Sequence, residues 1–207
     1  MPHSSRWRWR AFAPAFEQLN PYLPGQYAFA HDVYLVSMAT GVQARMSEEQ
    51  ICIEQVQEVQ HGVERWAQVF AATFPVCQRD IREVCRWLGC PPPSDFFSAE
   101  YDRYTFLTDV ASAVEGLRVV GVNTTRCAAT LDMCAIERAV VNIGGHAIQT
   151  AAVSAPELYD VRRCLRRLRV DHLENVSYAA FLQQVAPPMA PVLAAGRSPS
   201  QPRAGLI

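Results

Sequence analysis

The sequence of 207 residues predicts an all-α protein, a helical bundle of about six or seven helices between flexible N- and C-terminal arms. Three observations lead to this prediction. Two segments match the capping box that begins a helix, apolar residues recur every three or four positions, and glycine or proline follows several of these runs. Half of the residues are apolar, which is enough to build the core of one domain.

The first 25 or so residues, rich in proline and aromatic residues, have no clean period, so residues 1–28 are predicted to form an arm. Residues 29–186 form the predicted bundle, and residues 187–207, rich in Ala, Pro, Ser, Gly and Arg, form a disordered tail. The arm contains Trp7-Arg8-Trp9-Arg10, in which cations alternate with aromatic rings. This pattern suits base stacking or an anionic membrane surface, but over four residues a disordered arm is the simpler interpretation.

In the first half of the chain, a helix is predicted over about residues 31–45. Ser47-Glu48-Glu49-Gln50 is a capping box, and the apolar residues from Ile51 to Phe70 then recur at helical spacing, which predicts a second helix of about 22 residues. A third, over about residues 78–88, ends at Gly89 because the prolines that follow forbid continuation.

In the second half, Ser94 or Ser98 caps a helix, Thr125 caps another before Gly144-Gly145, and Ser154-Ala155-Pro156-Glu157 is the second capping box. The predicted helices cover about residues 94–116, 125–143, 154–174 and 177–185, with an extended piece at 117–122.

All nineteen basic residues are arginine, yet the formal net charge is −1, so a nucleic-acid site must be a local patch. The sharpest patch lies on the last long predicted helix, whose opposite side carries an apolar stripe of Val161, Cys164, Leu165 and Leu168. The patch consists of Arg162, Arg163, Arg166, Arg167 and Arg169. It is either a track for nucleic-acid phosphates or a solvated face neutralised by nearby acids.

The seven cysteines are scattered and none forms a C-x2-C pair, so we predict no metal site and no cofactor. Cys134 with His146 is a conceivable nucleophile and base, but no local signature surrounds either residue. No glycine-rich phosphate loop is present. The chain is therefore predicted not to be an enzyme.

The N-terminus lacks the features of a signal peptide, and no run is apolar enough to span a bilayer. An odd number of scattered cysteines is typical of reduced thiols. These observations predict a soluble intracellular protein, located in a host cytoplasm or a virion, that is not secreted.

Part of the chain, residues 74–181, resembles the coat proteins of rod-shaped plant RNA viruses of the tobamovirus and tobravirus type. The motifs include Asn123-Thr124-Thr125-Arg126, Thr130-Leu131-Asp132 and Tyr178-Ala179-Ala180-Phe181. The resemblance implies a four-helix bundle stacked around RNA, with Arg126 at a phosphate and Arg138 on the helix that lines the RNA. It also implies an aromatic girdle between subunits, formed by Phe96, Phe97, Tyr178 and Phe181.

The leading hypothesis is thus a self-assembling, coat-type homo-oligomer that packages single-stranded RNA through Arg126, Arg138 and the Arg162–Arg169 face. The alternative is a helical viral adaptor or tegument-like protein that binds another viral or host protein.

Overall fold

A closed antiparallel β-barrel of eight strands organises the computed structural model, which describes residues 5–39 and 41–185. In chain order the strands are β1 (Arg6–Ala13), β2 (Ala28–Val36), β3 (Val42–Met46), β4 (Gln50–Gln60), β5 (Val63–Thr73), β6 (Val76–Cys77), β7 (Glu100–Tyr101), β8 (Arg118–Leu131), β9 (Cys134–Ile143) and β10 (His146–Ala155). The barrel order is β1-β10-β9-β8-β2-β3-β4-β5, and β6 pairs with β7 outside it. The predicted all-α bundle is therefore wrong.

The segment predicted as the second helix is the hairpin of β4 and β5. Ile51 and Ile53 are fully buried on one face of β4, and Cys52 and Glu54 alternate with them on the other, which is the period of a strand. The turn at His61-Gly62 has φ values of 50° and 74°, as a two-residue hairpin turn requires. Apolar residues from two antiparallel strands had matched a helical spacing by coincidence.

The first capping box also stabilises a turn between strands. The Ser47 Oγ accepts hydrogen bonds from the backbone N–H groups of Glu49 (3.3 Å) and Gln50 (3.2 Å), where β3 turns into β4. A serine side chain satisfies the amides of such a turn as readily as those of a helix N-terminus. The local signature was real, but it does not distinguish the two structures.

Two other predicted helices are strands. Residues 31–45 belong to β2 and β3, and residues 125–143 belong to β8 and β9. Gly144 and Gly145 form the turn from β9 to β10, with φ values of 57° and 87°, rather than the end of a helix. The extended structure predicted at 117–122 is confirmed from Arg118 onward.

The predicted N-terminal arm contains strand β1, which joins β10 on one side and β5 on the other. Its alternating aromatics and cations mark its two faces. Trp7 and Trp9 are buried outside the barrel, whereas Arg8 and Arg10 line its interior. The interpretation of Trp7-Arg8-Trp9-Arg10 as disordered is therefore wrong; the tail predicted at 187–207 lies outside the described residues.

Helices form within four of the predicted segments, although the helix predicted over about residues 94–116 covers only residues 103–111, after strand β7. They are α1 (Gln78–Leu88), α2 (Arg103–Thr105, continued by a π-helical segment, Phe106–Ala111), α3 (Leu158–Leu168) and α4 (Tyr178–Val185), with a 3-10 helix at Glu17–Tyr22. The helix ending at Gly89 and the short helix near residues 177–185 are confirmed. Helix α3 is shorter than the predicted 154–174. Ser154 and Ala155 end strand β10 instead of capping the helix, so the second capping box is wrong, and Arg169, with φ of 56°, ends the helix in the left-handed conformation.

Two apolar clusters pack against the outer side of the barrel wall. Helix α1 and the Phe106–Ala111 segment cover the outer faces of β2, β3 and β4. Helix α3 covers β1, β9 and β10 with Val161, Cys164, Leu165 and Leu168, so the predicted apolar stripe is confirmed. No helix among the described residues is long and apolar enough to cross a membrane.

Helix α4 fills one end of the barrel. Leu182 is fully buried there with Val122 and Val141, and the Phe181 ring stacks on Phe12 at 3.8 Å between centroids. The Gln183 side chain donates to the carbonyl oxygens of Ser37 (2.7 Å) and Ala39 (3.1 Å) at the rim. The interior space beyond this helix is therefore a blind cavity.

Candidate functional site

The interior of the barrel is a half-enclosed cavity of about 390 Å³ whose wall includes nine charged side chains. They come from seven strands, because every second residue of a strand faces inward. The cations are Arg6, Arg8 and Arg10 of β1, Arg45 of β3 and Arg126 of β8, and the anions are Asp32, Glu54, Glu64 and Glu137. Such convergence of ionisable groups in one concave site is typical of a binding or catalytic centre.

The closest ion pair in the cavity joins β1 to β4. Arg8 donates from Nη1 to Glu54 Oε2 at 2.7 Å and from Nη2 to Oε1 at 2.6 Å, which is the bidentate arrangement that guanidinium favours with carboxylate. Gln43 Nε2 lies 3.5 Å from the same carboxylate. The Arg8–Glu54 ion pair reaches across β5, which lies between β1 and β4 in the barrel, and fixes both side chains in the wall of the cavity.

Arg10 is the centre of a second network, deeper in the barrel. It donates to Glu137 Oε1 at 3.2 Å and to Thr150 Oγ1 at 3.1 Å, and its Cζ lies 4.5 Å from the centroid of the Tyr178 ring. The Thr150 hydroxyl in turn donates to the Ala11 carbonyl at 2.9 Å, so Arg10 is held from three sides. Arg10 therefore links the charged wall to helix α4.

The other charged groups are less constrained. Arg45 lies 3.7 Å from Asp32, and Glu64 accepts from the Trp66 indole N–H at 3.0 Å. The Arg6 Nε is buried without a hydrogen-bond partner in residues 5–39 and 41–185. Arg126 is exposed in the cavity and makes no hydrogen bond or ion pair with the described part of the chain. Two guanidinium groups are thus available to a ligand.

Metal ligands are not assembled in this arrangement. Within the described residues, no three His, Cys, Asp or Glu side chains are grouped closely enough to hold an ion. Glu54, Glu137 and Asp32 each face an arginine instead.

The predicted phosphate-binding arginines are dispersed by the fold. Arg126 lies inside the barrel, whereas Arg138, one residue beyond the inward-facing Glu137, contacts Asn20 and the Tyr27 hydroxyl on the outside. The remaining five lie on the outer surface of the barrel, on α3 and its C-cap: Arg162, Arg163, Arg166, Arg167 and Arg169. Of these, Arg163 pairs with Asp160 and Arg167 with Asp132.

The aromatic girdle implied by the coat-protein resemblance is not one surface. Phe97 is 88% exposed, and Phe96 packs beside Tyr101 and Arg82 near α1. Tyr178 and Phe181 lie inside the barrel on α4. Residues that one helical bundle would have brought together are separated because the chain forms a barrel.

Cys134 and His146 do not meet either. They begin two successive strands, and Cys134 is buried under α3 beside Cys164 while His146 is exposed at the far end of the hairpin. Burial raises the pKa of the Cys134 thiol above its usual range, and raises that of Cys164 to about 12. A thiol in that state is a poor nucleophile.

Alkylation tests this placement. With iodoacetamide at pH 8, we expect Cys85, Cys134 and Cys164 to be modified only after denaturation, because burial disfavours the thiolate. The half-buried Cys77 serves as the internal control and should react in the folded protein. Peptide mass spectrometry over a time course makes the comparison, and rapid labelling of native Cys134 would restore the thiol-enzyme hypothesis.

Sequence reasoning missed most of the site. The sequence does not predict that Arg6, Arg8, Arg10, Arg45 and the four carboxylates form a cluster, since they are distributed over the chain from β1 to β9. The one usable signal was the alternation in Arg6-Trp7-Arg8-Trp9-Arg10, which is the period of a strand with one charged and one aromatic face.

Comparisons with known proteins give no family. No family model matches the chain, and no curated protein matches it. Similar solved structures include a Bacillus halodurans protein described as a candidate adenylate cyclase, with TM-score 0.48 and 9% identity over 89% of this chain and 100% of that one. A Hippeastrum protein described as a candidate adenylyl cyclase with a dominant triphosphatase activity has TM-score 0.47 and 11% identity, over 85% and 93%.

A conserved hypothetical protein from Pyrococcus furiosus is similar to the same degree, with TM-score 0.48 and 12% identity over 84% of this chain and 98% of that one. TM-scores of this size carry no argument about activity. The function of the cavity is therefore inferred from the geometry of this chain alone.

Both function predictions are corrected by the barrel. The coat-type RNA-packaging subunit and its alternative, a helical adaptor, required an all-α bundle, which the chain does not form. The prediction that the chain is not an enzyme is also wrong, since it depended on that bundle and on the lack of local motifs. The fold instead gathers ionisable groups from distant parts of the chain in one cavity, as binding and catalytic sites do.

Proposed function

We propose that the barrel binds a linear triphosphate, free or as the end of a nucleotide, and hydrolyses one of its phosphoanhydride bonds. The observation that carries this proposal is the row of inward-facing arginines on β1, opposed by Arg45 and Arg126 in the same blind cavity. Guanidinium groups bind phosphate oxygens by paired, charge-assisted hydrogen bonds.

The row of arginines has the shape of an elongated anion. Arg6, Arg8 and Arg10 occupy alternate positions of one strand, so their Cα atoms span about 13 Å along the cavity wall. A compact monoanion would engage one of these positions, whereas a chain of phosphoryl groups can contact several at once. The arrangement therefore favours a polyphosphate chain over a single phosphate or carboxylate.

The charge balance supports an anionic ligand. Five arginines face four carboxylates, and the guanidinium of Arg126 and the Nε of Arg6 have no partner within the described segments. In the half-enclosed cavity these charges are screened less than at an open surface. A triphosphate would supply negative charge to the guanidinium groups that the four carboxylates leave unpaired.

The same groups can promote hydrolysis. Arginines at the phosphoryl oxygens neutralise the charge that develops in the transition state. Glu64 accepts a hydrogen bond from the Trp66 indole and forms no ion pair with any described residue. Its carboxylate is therefore the candidate general base. Water attacks a phosphorus as its proton passes to Glu64, the anhydride P–O bond breaks, and the leaving phosphate departs with the bonding electrons.

A pair of matched variants tests the binding step. We expect Arg126→Gln to weaken binding of inorganic triphosphate about tenfold, or about 1.4 kcal/mol, because it removes one phosphate contact and breaks no internal pair. Arg162→Gln is the control, since Arg162 is an exposed arginine on the outer side of α3. Isothermal titration calorimetry measures both affinities, and phosphate release from triphosphate is followed in parallel.

Equal loss in the two variants would mean that the anion binds by general attraction to the surface. Binding by the wild-type protein without any phosphate release, with and without added divalent cations, would overturn the hydrolytic part of the proposal.

All seven cysteines are free thiols, and we propose on that basis that the protein works in a reducing, intracellular compartment.

A further inference from the structure

Two tyrosines form the floor of the cavity. Tyr34 of β2 and Tyr178 of α4 stack with ring centroids 5.2 Å apart and planes within 10°, and both line the charged space. Each is more than nine-tenths buried. Neither hydroxyl has a hydrogen-bond partner in the described part of the chain, yet neither is sealed away from the cavity. Buried phenols normally find a partner, so this pair is unusual.

Both phenols remain hydrogen-bond donors at physiological pH. Burial raises the pKa of Tyr178 to about 12 and raises that of Tyr34 further, because a phenolate would lose its hydration there. Arg10 lies directly over the Tyr178 ring, 4.5 Å from Cζ to the centroid. It engages Glu137 and Thr150 with two N–H groups, which leaves donors on the same guanidinium. Donors of two kinds thus converge at the end of the cavity.

We infer that Arg10, Tyr34 and Tyr178 form a subsite for the terminal, unesterified phosphoryl group of the bound anion, an inference that rests on the proposed function. A terminal phosphoryl group has three non-bridging oxygens, which two phenols and one guanidinium can contact together. An internal phosphoryl group offers fewer oxygens and would need space on both sides.

The closed end of the barrel discriminates a terminal phosphoryl group from an internal one. Below the tyrosines lie Phe12, Phe181 and Leu182, which are packed against the interior strands and do not line the cavity. Any group attached to the terminal phosphoryl oxygen would have to displace this apolar layer. The ligand therefore enters end-on, with its free phosphate deepest, and the β1 arginines contact the phosphoryl groups behind it.

The test compares free and blocked phosphate ends. The probes are inorganic triphosphate, the non-hydrolysable β,γ-methylene analogue of ATP, and the γ-methyl ester of that analogue. In calorimetric titrations the wild-type protein should bind the methyl ester at least about tenfold more weakly than the free analogue. Tyr34→Phe and Tyr178→Phe, which keep the stacked rings, should each weaken binding of the free analogue about tenfold and leave the methyl ester unchanged.

Tyr159→Phe is the matched control, because Tyr159 is 67% exposed on α3. Thermal melting verifies that each variant is folded. If Tyr178→Phe disturbs folding, Tyr34→Phe alone decides the outcome. Equal affinity for the free and blocked analogues, or no loss in either floor variant, would overturn the subsite and leave the triphosphate proposal standing. Failure of the wild-type protein to bind any of the three probes would overturn the proposed function and the subsite with it.

Discussion

Arg10→Met is expected to lower the affinity for inorganic triphosphate about 100-fold, which corresponds to about 2.7 kcal/mol. Arg10 is held by Glu137, Thr150 and the Tyr178 ring at the deep end of the row of arginines, so its charge cannot be replaced by a neighbour. Methionine keeps much of the side-chain length while it removes every charge-assisted hydrogen bond to phosphate. Calorimetric titration of purified variants measures the change.

The same substitution leaves Glu137 without its arginine in a partly buried position. Because the Arg10 and Glu137 side chains are 21% and 27% exposed, we expect a loss of about 1–2 kcal/mol in the free energy of unfolding, less than for a fully buried pair. Arg10→Met combined with Glu137→Gln should recover most of that stability and none of the binding. If the double variant bound triphosphate as well as the wild-type protein, Arg10 would have no role in the site.

Leu182→Ala is expected to reduce the free energy of unfolding by about 2–5 kcal/mol. Leu182 is fully buried among Val122, Val141 and other interior side chains, and alanine would leave a void where α4 enters the barrel. The cost depends on how far the surrounding layer can collapse. Urea denaturation followed by tryptophan fluorescence gives the value.

The control is Val185→Ala, three residues further along the same helix, where the side chain is 43% exposed. It should change stability by no more than about 0.5 kcal/mol. Similar effects at the two positions would show that α4 does not dock as described, and the cavity would then be open at both ends.

Local signals predicted those elements whose structure is decided by nearby residues. Helix α1 has an apolar stripe and the left-handed Gly89 at its end, and the apolar stripe of α3 is buried as its spacing required. In each case a helix completes most of its own hydrogen bonds, and its buried face is read from one segment. The same reasoning failed at residues 47–73, where two strands and their turn imitate a capped amphipathic helix.

The candidate site was less predictable than the helices. Arg126, which the resemblance places at a phosphate, does line the cavity, but the sequence does not predict the other charged residues that line it with Arg126. The sequence predicts an arm for the arginines near the N-terminus, because nothing in the neighbouring residues indicates that one charged face of this strand is buried. Its role depends on a barrel interior formed with strands as distant in the chain as β9 and β10.

The amino-acid sequence by itself determined the helical stripes of α1 and α3, the short helix α4 and the extended start of β8, since these depend on spacing within one segment. Only the tertiary structure decided that most of the chain is a barrel, and which face of each strand points inward. The physical reason is that strands hydrogen-bond to partners far away in sequence. The alternation of apolar and polar residues along a strand separates its two faces. It does not show which face is covered by helices and which face lines a charged interior. In this protein the apolar faces pack outward against α1 and α3, and the interior keeps the arginines.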